Sequence, residues 1–115
     1  MKKDDTVFLR HILDAVNWIE EYTHGMDYEG FMDAHLVQDG VIRQLEIIGE
    51  ATRNLSKELR DKNAEIPWKD MAGMRDKLIH QYFGVDIAAV WDTVKADIPG
   101  LKDRVTKILK GLPRT

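Results

Sequence analysis

The chain has 115 residues, the usual size of one domain, of which 43% are apolar and 32% charged. That balance suits a chain that buries a core in water, and it excludes disordered and membrane-embedded classes, since no apolar run approaches the roughly 20 residues that span a bilayer. The absence of cysteine removes disulfides, thiol catalysis and thiolate metal sites, and the net charge of −3 argues against a protein that coats nucleic acid indiscriminately.

Helical periodicity runs from the start. Phe8, Ile12, Ala15, Ile19 and Tyr22 recur at steps of four and three, with Leu9, Leu13 and Val16 widening the stripe. Asp5 or Thr6 is placed to cap this first helix and Gly25 to stop it. The two lysines of "MKKDD" are followed at once by acids, so a signal peptide is not expected and a cytoplasmic location is. "MDYEGFMD" reads as a loop with a short turn, after which Asp33 is placed to cap a long helix through "AHLVQDGVIRQLEIIGEATRNL". Its buried stripe is Val37, Val41, Leu45, Ile48 and Leu55, flanked by Leu36, Ile42 and Ile47. Gly40 and Gly49 each cost such a helix about 1 kcal/mol relative to alanine. Both therefore predict close approach, either to another helix of the same chain or across a two-fold contact between subunits.

Ser56 is placed to cap "KELRDKN". Pro67 suits a first helical position, and the spacing predicts a helix from there to about Phe83, closed by Gly84. Asp86 opens the next helix, with Ile87, Val90, Trp91 and Val94 inward. Pro99 starts the last, with Leu101, Val105, Ile108 and Leu109 on its apolar side. No strand alternation, repeat or low-complexity linker interrupts the pattern. The expectation is an all-α bundle of four to five helices forming a single domain over residues 1–115.

The tail "LKDRVTKILKGLPRT" sets Lys102, Arg104, Lys107, Lys110 and Arg114 against Asp103 alone. A solvated helix face explains this; the functional reading is a patch for RNA phosphates made by Lys102, Arg104, Lys107 and Lys110. The four histidines are far apart in sequence and none belongs to an HExxH pair, so neither a metal site nor a cofactor is expected, and His11, His24 and His35 read as surface or helix-end residues. Asp61, Glu65 and Asp70 read as capping acids, and Glu46 and Glu50 as solvent-facing ones.

The stretch that carries chemistry is "GMRDKLIHQYFGVD". On a regular helix Arg75 and Tyr82 lie two turns apart on one face, and Asp76 stands i,i+4 from His80, within reach of its imidazole. Arg75 and His80 lie about 140° apart, so they converge only if the arginine reaches around, the helix distorts, or a second subunit supplies half of a shared cleft. An arginine, a histidine and a tyrosine without a metal suit cleavage of an RNA phosphodiester. The histidine would move the proton of the 2′-hydroxyl or of the leaving oxygen, the arginine would fork onto the phosphate, and the phenol would stack on a base or hydrogen-bond a phosphate oxygen. The plain alternative is the polar side of a helix.

"MRDKLIHQYFGVD" resembles the R-x4-H-x-Y signature of the HepT-like group of the HEPN superfamily. "VQDGVIRQLEIIGEATRNLS", "IPWKDMAGMRDKLIHQYFGVD" and "VWDTVKADIPGLK" resemble that family's pattern in the same order, over nearly the whole chain. Only Gly40, where alanine is more usual, departs from it. The resemblance implies a HEPN-type helical homodimer with a composite cleft. It further implies a metal-independent endoribonuclease that is the toxin of a type VII toxin–antitoxin pair. Its partner would be a minimal nucleotidyltransferase (MNT) antitoxin that transfers AMP to the motif tyrosine. Carried onto this chain, Arg75 and His80 would be catalytic, Asp76 supporting and Tyr82 the modified residue. Two other readings of the same residues are a non-catalytic helical dimer that holds a nucleotidyltransferase or a nucleotide, and a polar network at a dimer seam.

Overall fold

The computed structural model describes residues 4–74, 79–80 and 84–112, with the backbone alone at Ile79, His80 and Val85. Helix α1 spans Asp5–Thr23, α2 Tyr28–Asp33, α3 His35–Arg53, α4 Lys57–Lys62 and α5 Trp68–Ala72. Two short extended segments follow, β1 (Ile79–His80) and β2 (Gly84–Val85), and then α6 (Ile87–Ala96) and α7 (Ile98–Gly111). The architecture is all-α apart from that two-residue pairing.

The core is the apolar stripe of α1 laid against that of α3. Leu9, Ile12, Val16 and Ile19 of the first and Val41, Leu45 and Ile48 of the second are at most 1% exposed. The two helices are antiparallel: Tyr22, near the end of α1, lies over Gly40 near the start of α3, while Asp5 at the start of α1 meets Ser56 just beyond the end of α3. Helix α7 packs on α1, and α3 also carries α2, α5 and α6. Of the expected stripe, Val37 is half-buried rather than buried, and the flanking Leu36 is 85% exposed.

Several helix ends differ from the sequence expectation. Asp4, not Asp5 or Thr6, caps α1 by accepting from the Thr6 amide at 3.0 Å. Asp5 makes a tertiary contact instead. Its carboxylate accepts from the Ser56 amide at 2.8 Å and from the Ser56 hydroxyl at 2.6 Å. The same Ser56 Oγ accepts from the Leu59 amide and caps α4 as expected. Gly25 stops α1 with a positive φ of 74°. "MDYEGFMD" contains a helix rather than a turn. Asp27 caps it, and it ends at Asp33, the residue expected to cap α3. The first turn of α3 has no side-chain cap; Gln38 instead donates through Nε2 to the Phe31 and Met32 carbonyls at 2.8 and 2.9 Å, joining α3 to the end of α2.

The two glycines of α3 are explained within the chain. A Cβ on Gly40 would stand 3.1 Å from the Tyr22 ring, and one on Gly49 would stand 3.3 and 3.4 Å from the Met71 and Ala72 carbonyl oxygens. Gly49 thus lets the last turn of α5 rest directly on α3. The helix expected from Pro67 to Phe83 ends at Ala72, where Gly73 caps it with an amide aimed back at the Lys69 and Met71 carbonyls. Ile79 and His80 are extended, not helical.

Candidate active site

The segment that holds the motif is anchored at both ends. On the near side Trp68 and Met71 are buried, and the Trp68 indole donates to the Arg60 and Asn63 carbonyls at 3.2 and 3.0 Å. Met74, 8% exposed, is the last anchored residue before Arg75. On the far side Asp86 caps α6, accepting from the Ala89 amide at 3.1 Å, and Val90, Trp91 and Val94 dock α6 on the core. Between these anchors β1 pairs antiparallel with β2, Ile79 opposite Val85 and His80 opposite Gly84, whose φ is +79°. The pairing fixes the backbone of His80. Arg75, Asp76 and Tyr82 lie outside the described residues. Ile79 and His80 are extended, so the regular helix expected to run on to Phe83 does not hold at His80.

A cavity of about 330 Å³ opens beside Met74, between α5, the end of α6 and the start of α7. Met71, Met74, Ile98 and Leu101 give it an apolar floor, and Asp70, Asp97 and Arg104 stand in its wall. Asp70, expected only as a capping acid, lines this space. Nothing in the sequence signals the cavity, because its walls come from three separate helices.

The basic residues of α7 divide. Lys102 donates to Glu20 at 2.7 Å and ties α7 to α1. It lies about 160° around the helix from Arg104, whereas Arg104, Lys107 and Lys110 are exposed within about a 120° arc. His11, His24 and His35 are exposed, His24 as the C-cap of α1 and His35 as the first residue of α3. Among the described residues no group of three histidine or acidic side chains could hold a metal ion, and no helix is long and apolar enough to cross a membrane.

Residues 12–108 match the family model described as "Ribonuclease HepT-like". The chain belongs to the HepT-like ribonuclease family. A Thermococcus cleftensis protein named "Probable ribonuclease HepT" is 47% identical over 110 residues, covering 96% of this chain and all of that protein. A Methanocaldococcus jannaschii protein named "Putative RNase" is 49% identical over 111 residues, 96% of each chain. A second protein of that organism, named "Gamma-glutamylcyclotransferase and putative RNase", is 48% identical over 114 residues; there the match covers 99% of this chain but 51% of the relative, so the chain spans about half of that longer protein. No solved structure gives a significant match. The HepT-like match takes in α5, the paired segments around His80 and most of α7, and so includes Arg75, Asp76, His80 and Tyr82 and the lining of the cavity, but not Lys110.

Proposed function

We propose that this chain is a metal-independent endoribonuclease that cuts RNA with Arg75 and His80, as the toxin of a type VII HEPN/MNT toxin–antitoxin pair. The observation that carries the reading is the HepT-like match across residues 12–108, inside which this chain keeps an arginine, a histidine and a tyrosine in the R-x4-H-x-Y arrangement. Asp76 would support His80.

In the proposed reaction the 2′-oxygen attacks its own phosphorus as His80 takes the hydroxyl proton. The bond to the 5′-oxygen breaks, and that oxygen leaves with a proton. Arg75 forks onto the phosphate and stabilises the charge that builds on it. One imidazole cannot take one proton and give another in the same step. A homodimer that brings two copies of His80 to a composite cleft supplies both groups, and the backbone pairing of His80 with Gly84 holds each imidazole's main chain at a set place. Arg104, Lys107 and Lys110, exposed on one face of α7, would carry the RNA backbone.

Tyr82 is the proposed off-switch. An adenylyl group there would set bulk and a negative phosphate beside Arg75, excluding RNA and competing for the guanidinium. Co-expression with an MNT antitoxin is expected to give a Tyr82 peptide heavier by one adenylyl group, and protein that no longer cleaves RNA, while Tyr82→Phe escapes modification. Adenylated protein that cleaves RNA as fast as the unmodified form would refute the switch. Partner binding without RNA cleavage by the unmodified protein would favour the non-catalytic dimer.

A further inference from the structure

We propose that the cavity between α5, α6 and α7 is a subsite for one unstacked base of the RNA, with guanine the preferred occupant. The inference rests on the reading of the chain as an RNA-cleaving protein. The cavity, at about 330 Å³, lies at the small end of the range for ligand pockets. Its floor of Met71, Met74, Ile98 and Leu101 belongs to the buried core and offers thioether and aliphatic surface to the face of a ring. Met74 directly precedes Arg75, so a base seated here lies one residue along the chain from the proposed catalytic arginine.

The wall decides what enters. Asp70 and Asp97 outnumber Arg104, so the local balance is negative and disfavours a phosphate inside the cavity. A carboxylate only accepts hydrogen bonds, so it selects a base edge that donates. Guanine presents two adjacent donors, its ring N–H and its amino group, which a carboxylate takes side by side. Asp70, Asp97 and Arg104 are all exposed, and none of their side chains makes a hydrogen bond or ion pair with another described residue. Arg104 is exposed at the rim and continues into the open row of Lys107 and Lys110. The base therefore enters while its flanking phosphates stay outside on Arg104.

Gly100 supplies the test. It lines the cavity in the first turn of α7, and a Cβ built on it meets nothing within 4 Å. The first atom of a side chain at Gly100 thus meets open space, so Gly100→Leu is the substitution designed to occlude the cavity, and it replaces a poor helix former by a good one. Short RNAs differing at a single position should be bound by the full chain carrying His80→Ala, so that binding is read without cleavage. The guanine-containing RNA is expected to bind about tenfold or more tightly than the others. Gly100→Leu should remove that advantage at an unchanged or higher melting temperature, and Asp70→Ala should lower it. Equal binding of all the RNAs, or a guanine preference that survives Gly100→Leu, overturns the subsite, as does a Gly100→Leu variant that loses only a protein partner. Cleavage by the unsubstituted chain that is indifferent to base and to Gly100→Leu would sink the subsite and leave the nuclease standing. Guanine-dependent binding without any cleavage would do the reverse.

Discussion

His80→Ala is expected to lower RNA cleavage by about 10²–10⁴-fold, the usual contribution of a general acid–base group. RNA binding and melting temperature should change little. The main chain of His80 is held by its pairing with Gly84, and alanine makes the same backbone bonds as histidine. A loss of cleavage without a loss of fold would therefore report on the imidazole. The pH–rate profile should also lose a limb, because histidine is the proposed proton carrier and the side chain whose ordinary titration falls near neutrality. A variant that melts much earlier but cleaves RNA per folded molecule as well as the parent would point instead to a polar network at a dimer seam.

Phe31→Ala is expected to cost about 3–5 kcal/mol, a large share of the roughly 5–15 kcal/mol that holds a domain of this size together. Phe31 is 0% exposed, and its ring meets that of Trp91 at 5.0 Å between centroids with 35° between planes. It is the buried residue of α2, whose six residues are too few to remain helical without packing. Its removal opens a cavity at the contact between α2 and α6, and α6 is the anchor on the far side of the motif segment. Urea unfolding measures the effect. A midpoint shift worth less than about 1 kcal/mol would show that the site collapses around the smaller side chain.

The sequence made some features legible and hid others for physical reasons. Long amphipathic helices could be read because their stripes are periodic over many turns: Leu9, Ile12, Val16 and Ile19 in α1, and Val41, Leu45 and Ile48 in α3, lie where the period of 3.6 places them. Helix α2 could not, since six residues with one buried phenylalanine carry no period. The end of α5 at Ala72 was not read, because the helix expected from Pro67 was carried on to Gly84, past the glycine at 73 that caps it. The choice of Asp4 over Asp5 as the α1 cap depends on Ser56, a contact 51 residues away in the chain. The ion pair of Lys102 with Glu20 was hidden for the same reason, since it joins residues 82 apart in the chain. At the candidate site the residue types were legible, and so was the family. The extended backbone at His80 was not, because it depends on the pairing of Ile79 and His80 with Val85 and Gly84 rather than on any local periodicity.

Cleavage of RNA by the purified chain in excess EDTA, run beside His80→Ala prepared identically, tests the central claim most directly. Cleavage that persists in the chelator and disappears in His80→Ala is the predicted result. Equal cleavage by both proteins, or cleavage that the chelator abolishes and added metal restores, would contradict it.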